Sequence, residues 1–444
     1  MIFVFESTKH SEYINFKSCT DINNSGIKRF TTSPLALSII YEFFSFENKK
    51  QQYKNDVQVL TTIPTGEKYI IASGVAHSPK DWCGPDYQNI GFDKNNHDKQ
   101  SAFAHLSERY LNDLKSGVAF LLLDQSHEGY QVDWLWSWFH NNCDHYRINP
   151  KQLIYVTGNL DSSEQYTTWA DYHKLENRIL VVPYPHFESV MAVTLTNSKL
   201  PLPTATDQIT YKRNRLAEIK NCNILQKRPR GHRIWFFKYL YEHDLIKNNI
   251  ISMNDFQGNG RYYDGKHLSE EEYNELNMLT PIIPVENPMN YELGEFSSPD
   301  SGEYLTMFNE QTMLDSWLTV ISEASFADSE NTCFISEKTF KPIACNHPFI
   351  ILGNKGSLQH LRNMGYKTFS PYIDETYDTL PTWDRMEAII NELIRLSAMT
   401  TTEKLEWYEN MKEILEHNYN TLIHNSNKLD SSVLMIEQYY NNHV

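Results

Sequence analysis

Four short apolar runs in the first half of the chain, at 69–72 (YIIA), 118–124 (VAFLLLD), 153–157 (LIYVT) and 179–182 (ILVV), limit what it can fold into. None is long enough for a buried helix. None shows the alternation of a sheet with one wet face, so each reads as a parallel strand covered on both sides. Helical stretches at 102–115 and 133–140 lie between some of them, and that alternation indicates an α/β fold. The second half repeats the theme. Candidate strands at 223–225 and 250–253 flank a helix over 233–244, and strands at 318–322 and 349–352 bracket a helix that begins near Glu337. Amphipathic helices at 383–396, 402–424 and 430–440 close the chain.

A chain of 444 residues exceeds what one core usually supports, so two domains of about 200 residues each are expected. The segment 197–207, NSKLPLPTATD, combines two prolines with small polar residues and reads as a linker. It divides the chain into an N-terminal domain, 1–205, and a C-terminal domain, 206–444. Hydrophobic residues make up 40% of the chain, enough for two globular cores. The net charge of -16 argues against a general nucleic-acid coat. Six scattered cysteines form no CxxC pair and have no histidines at ligand spacing, so free thiols are expected, with no disulfide framework and no zinc site. The first residues lack a basic region and a cleavage site, and no apolar run approaches the roughly 18 residues of a membrane span. A cytoplasmic protein with no membrane span is the expectation. The stretch 264–303 holds ten acidic residues, one lysine and four prolines, and reads as an exposed insertion.

Two stretches carry the chemistry. Gln226-Lys-Arg-Pro-Arg-Gly-His-Arg233 gathers Arg228, Arg230 and Arg233 at a strand-to-helix turn, where helix amides and guanidinium groups both favour phosphate oxygens. In 325–342, SFADSENTCFISEKTFKP, Ser336 is placed as an N-cap with Glu337 and Lys338 in the first helical turn. There Glu337 can accept ribose hydroxyls and Lys338 can neutralise a diphosphate. The alternatives are a solvated basic loop for the first and ordinary capping for the second.

Together, KRPRGHR (227–233), DLIKNNIIS (244–252) and SEKTFKPIACNHPFIILGNKGSLQHLRNMGYKTF (336–369) resemble the fucosyltransferase-like and exostosin-like glycosyltransferases of the kind common in phage and large-virus genomes. FLLLDQSHEG (120–129), YVTGNL (155–160) and YPHFE (184–188) are similar to the same group, and the resemblance runs from about residue 117 to 375. It implies a GT-B architecture: two Rossmann-like domains, a cleft between them and C-terminal helices, with a nucleotide-sugar donor bound mainly by the C-terminal half. The family's Glu-Lys pair, which holds donor ribose and diphosphate, falls on Glu337 and Lys338. Its phosphate-binding arginine falls on one or more of Arg228, Arg230 and Arg233. The family's aromatic-Glu-Asn-Ser pattern is only loosely echoed by Phe326-Ala-Asp-Ser-Glu-Asn331, so the donor sugar does not carry over.

An inverting transferase needs a carboxylate to deprotonate the acceptor hydroxyl and cations to stabilise the departing diphosphate. Asp124 and Glu128, after the 118–124 strand and with His127 between them, are the candidate bases. Gly158 and Asn159 end a neighbouring strand and are expected to line the same cleft. Glu188 and Glu323 are alternative bases. Turn and capping roles are the competing reading of the loop carboxylates. No DxD motif stands at a strand end, so neither metal nor cofactor is expected and Lys and Arg take the place of a cation. The acceptor is a glycan or, in a phage setting, a hydroxymethylated DNA base; Lys212, Arg213 and Arg215 keep DNA open against the acidic net charge. A non-catalytic nucleotide-sugar-binding protein and a sugar-nucleotide epimerase are the competing functions.

Overall fold

The computed structural model describes residues 2–4, 58–60, 66–74, 106–126, 128–129, 134–198, 201–226, 228–282, 310–425 and 431–443. His127 and most of the acidic stretch at 264–303 lie outside the described residues. The chain forms two compact units, Met1–His186 with Asn427–Val444, and Phe187–Ser426.

The first unit is built on strands β1 (Ile2–Val4), β2 (Gln58–Leu60) and β3 (Tyr69–Gly74), helix α1 (Glu108–Ser116), β4 (Ala119–Gln125), α2 (Leu135–Tyr146), β5 (Leu153–Thr157), α3 (Ser162–Tyr172) and β6 (Leu180–Pro183). The strands pair in the order β2-β1-β3-β4-β5-β6, every pair parallel. β4 and β5 are buried along their whole length, as uninterrupted apolar runs require. On one face, Trp136 and Phe139 of α2 pack edge-on or tilted against Tyr155 of β5, and Trp136 meets Tyr166 of α3. Helix α1 starts at Glu108, later than expected, because the Ser107 hydroxyl caps it by accepting the Tyr110 amide; left-handed Gly117 (φ 78°) ends it.

The second unit follows with α4 (His186–Ser198), α5 (Ala205–Asn214), β7 (Lys220–Gln226), α6 (Gly231–Glu242), β8 (Ile250–Met253), the hairpin β9 (Tyr262–Tyr263) and β10 (Lys266–His267), and α7 (Glu270–Met278). After the next described residues come α8 (Glu310–Leu314), β11 (Ser316–Ser322), α9 (Glu337–Ala344), β12 (Phe349–Leu352), α10 (Ser357–Asn363), α11 (Thr382–Ala398), α12 (Thr401–Asn410) and α13 (Lys412–Asn425). Its parallel sheet has the order β12-β11-β7-β8. The fold class is therefore α/β with two Rossmann-like units and helices closing the chain. The expected 402–424 helix is two helices, which part at buried Met411. The 197–207 stretch holds the end of α4 and the start of α5, where Thr204 and Asp207 form a capping box. The last helix, α14 (Ser431–His443), belongs to the first unit, where Tyr439 and Tyr440 pack on Phe120 of β4.

The topology of the second sheet decides where a ligand can sit. From β7 the chain crosses through α6 to β8 on one side; from β11 it crosses through α9 to β12 on the other. The adjacent C-terminal ends of β7 and β11 are thus a topological switch point, where the two crossovers diverge and leave a crevice. In the first sheet the corresponding point lies between β1 and β3, whose following segments are outside the described residues.

No helix among the described residues is long and apolar enough to cross a membrane. Cys143, Cys222 and Cys345 are buried free thiols, and Cys333 is buried with its sulfur 4.0 Å from Ser357 Oγ. Lys212 is wholly buried, and its ammonium donates to Gln208 Oε1 at 2.7 Å and to the carbonyls of Met313 and Leu314 at 2.8 and 3.0 Å. It thereby caps the end of α8 just before β11. Lys212→Ala leaves two buried carbonyls unpaired and a cavity, and is expected to cost about 3 kcal/mol of stability. A urea midpoint equal to that of the unsubstituted chain would contradict this.

Candidate functional site

The basic turn leaves β7 at Gln226, whose side-chain amide donates to Ser322 Oγ of β11 at 2.5 Å. Arg230 occupies the N-cap of α6 in an extended conformation, and no side chain caps the helix. Gly231 opens the helix because a Cβ there would lie 2.3 Å from the ring of Tyr263, which the β9–β10 hairpin lays against this turn. The Tyr263 hydroxyl in turn accepts the Ala327 amide at 3.0 Å, so the hairpin bridges the basic turn and the loop after β11.

The three arginines divide their work. Arg233 is buried: its Nη2 donates to the carbonyls of Ser322 and Glu323 at 2.8 and 3.0 Å, and Nη1 to the Arg228 carbonyl at 3.2 Å. Its Nε is buried and has no partner among the described residues. Burial, followed by repulsion from Arg230, pushes its pKa down to about 10, while Glu323 and Glu337 oppose the fall; the group remains charged at neutral pH. Arg228 and Arg230 are exposed, and Arg230 Nη1 reaches the Ala324 carbonyl at 2.6 Å. His232 is buried, and desolvation with the neighbouring Arg233 holds its pKa well below the usual range. As a neutral ring it donates from Nε2 to the Glu323 carbonyl at 3.1 Å.

Glu323 closes β11 with a side chain that has no solvent exposure. Its Oε1 accepts the Ser336 amide at 3.0 Å and the Thr339 hydroxyl at 2.7 Å, and Oε2 accepts the Ser336 hydroxyl at 2.5 Å. A carboxylate so saturated holds the start of α9 in place and is unsuited to take a proton from a substrate. Ser336 is the N-cap of α9, accepting the Lys338 amide at 3.4 Å. Lys338 Nζ donates to Glu337 Oε1 at 2.7 Å and to Ser336 Oγ at 3.1 Å. Burial opposes the charge on Glu337, but Lys338 and then Lys341 outweigh it and keep the carboxyl below its ordinary range. Arg228, Arg230, Arg233, Glu337 and Lys338 therefore share one cluster at the ends of β7 and β11. Lys341 was not singled out from the sequence, although its i, i+4 spacing from Glu337 places both on one helix face.

In the first unit, Asp124 is wholly buried and its Oδ1 accepts the Ser126 amide at 2.8 Å, shaping the turn after β4. Glu128 is half-buried, and its carbonyl accepts the Gly158 amide at 3.0 Å, which ties this loop to the end of β5. Asn159 is buried; its amide nitrogen donates to Gln165 Oε1 at 2.9 Å and its Oδ1 accepts the Asp161 amide at 3.2 Å, so it builds the turn into α3. Glu188 is buried in the second unit, accepting the Tyr366 hydroxyl at 2.6 Å and the Asn425 amide at 2.7 Å.

No family model matches the chain, and no curated protein is significantly similar to it. Among solved structures the chain is similar to a UDP-forming α,α-trehalose-phosphate synthase from Burkholderia vietnamiensis (TM-score 0.35, 12% identity, 76% of this chain and 72% of that one). It is also similar to the N-terminal domain of Candida albicans trehalose-6-phosphate phosphatase (TM-score 0.39, 8% identity, 91% and 74%) and to a trehalose-6-phosphate synthase (TM-score 0.37, 11% identity, 85% and 73%). The fold class rests on the two parallel sheets themselves.

If Glu323 is the anchor of α9, Glu323→Ala speeds amide hydrogen exchange across 336–340 by about tenfold or more, in step with the loss of a charge-assisted bond. Unchanged exchange in that segment would remove the anchoring role.

Proposed function

We propose that the protein is a glycosyltransferase that moves a sugar from a nucleoside-diphosphate donor, held by its second unit, to an acceptor hydroxyl. The observation that carries the reading is the cationic cluster at the switch point. Arg228, Arg230, Arg233, Lys338 and Lys341 stand against Glu323, Glu330 and Glu337, linked by short-range electrostatics. Two helix N-termini add roughly half a positive charge each, so the surplus is about three charges, which suits a diphosphate. The resemblance of KRPRGHR and SEKTF to the fucosyltransferase-like enzymes supports the same assignment.

In this reading Glu337 accepts the ribose hydroxyls and Lys338 meets the diphosphate. The acceptor oxygen attacks the anomeric carbon as the bond from that carbon to the phosphate oxygen breaks. The departing diphosphate carries away the bonding pair, and Lys338 with Arg228 and Arg230 stabilises it without metal or cofactor. The acceptor proton passes to a carboxylate base. Glu128 is the proposed base, because Asp124 is shut off from solvent and held by its turn. Glycans and hydroxymethylated DNA bases are the acceptor classes proposed, with inversion at the anomeric carbon.

A nucleoside diphosphate of the right base should raise the melting temperature, with a stabilisation of about 2.7 kcal/mol at a hundredfold excess over Kd. The absence of any shift with uridine, guanosine, cytidine and adenosine diphosphates would sink the donor assignment. Lys338→Ala should keep the fold and lower kcat/KM about 10²-fold or more; wild-type kinetics in that variant would take Lys338 out of the site. Glu128→Gln should reduce transfer by about 10²- to 10⁴-fold with donor affinity unchanged, whereas full turnover would send the base elsewhere.

A further inference from the structure

Within the donor reading, on which this inference rests, one cation of the cluster is drawn in from solvent and yet has no structural task, whereas Arg228 lies exposed. Arg233 pins three carbonyls, Arg230 holds the Ala324 carbonyl and Lys338 is paired with Glu337 at 2.7 Å. Lys341 is half-buried, and its ammonium has no hydrogen bond and no ion pair within 4 Å among the described residues. It stands one turn beyond Glu337 on the same face of α9. Helical side chains lean toward the N-terminus, so a long side chain at this position reaches back over the first turn. The electrostatic pull of Glu337 on Lys341, and the push of Lys338, agree with that direction. A half-buried ammonium without a partner is costly unless an anion arrives to meet it.

We propose that Lys341 is a second phosphate-binding cation of the donor site, which takes up the diphosphate together with Lys338 as Glu337 turns to the ribose. Burial holds its pKa at about 8, with Glu337 favouring the charge and Lys338 opposing it. The Cys345 thiol at the end of its own helix is the other titratable group that acts on it. Of the elements packed on α9, α13 carries Lys412, Glu413, Glu416, His417, Tyr419 and His424, and β11 is followed by Glu323, whose oxygens are occupied by Ser336 and Thr339. A lysine with a lowered pKa is charged below that pKa and loses its charge as pH rises through it. Anion affinity therefore falls as pH passes about 8.

The test is calorimetric titration of the full chain with inorganic pyrophosphate and with the four common nucleoside diphosphates, from pH 6.5 to 9.5. Wild-type protein, Lys341→Met and Lys341→Arg are compared after their melting temperatures show all three folded. At pH 7 the methionine variant should bind about tenfold more weakly, the scale of one lost charge-assisted contact. The arginine variant should bind nearly as wild type at pH 7 and keep its affinity above pH 8, where wild type weakens. Since all three proteins meet the same ligand, the difference between wild type and the arginine variant cancels the ligand's own titration. Wild-type affinity and an unchanged pH profile in Lys341→Met would overturn the role of Lys341 while leaving the donor reading intact. Failure of the wild-type chain to bind any of these ligands would overturn both.

Discussion

A single buried carboxylate, Glu323, joins the two strand ends on which the candidate site depends. Its side chain gathers the Ser336 amide, the Ser336 hydroxyl and the Thr339 hydroxyl, while its own carbonyl accepts from His232 and Arg233. A carboxylate with no exposure is tolerable only when donors replace its water, and here three do. One residue thus fixes the start of α9 with its side chain and the start of α6 with its peptide. The two helix N-termini at the switch point are held as one body before any ligand arrives.

That arrangement explains why the arginines are unequal. Arg233 is committed to carbonyls of β11 and its following residue, and so serves as the pin of the basic turn, whereas Arg228 and Arg230 stay exposed. The β9–β10 hairpin adds a second brace. Tyr263 lies against Gly231, and Lys266 sits 4.0 Å over the ring of Trp383 at the start of α11 while its ammonium donates to the Tyr239 hydroxyl at 3.2 Å. Cation–π contact and a tyrosine hydrogen bond tie the hairpin to two helices. Electrostatic stabilisation of a leaving group is effective when the cations are held beforehand, because no reorganisation is then needed at the moment of transfer.

Much of this was legible in the residues. The uninterrupted runs LLL at 121–123 and FIIL at 349–352 announce doubly covered strands, and Ser336 before Glu337 announces a helix cap. What a sequence cannot display is the direction in which a strand-end carboxylate points. Glu323 and Asp124 are alike in sequence context, each closing an apolar strand, yet both are buried and engaged by neighbouring backbone or hydroxyl donors. Helix α5 was hidden by the prolines ahead of it, although the Thr204-x-x-Asp207 spacing is a start signal. The break at Met411 has no glycine or proline to mark it. Lys341 carries no mark in the sequence, because a lysine on an amphipathic helix ordinarily faces water.

The central claim is that the ends of β7 and β11 form a diphosphate site, and hydrogen exchange with and without a saturating nucleoside diphosphate tests it most directly. The account predicts slowed exchange in peptides covering 228–236 and 323–342, with the rest of the second unit little changed. Protection confined to other segments, at a ligand concentration that shifts the melting temperature, would contradict it.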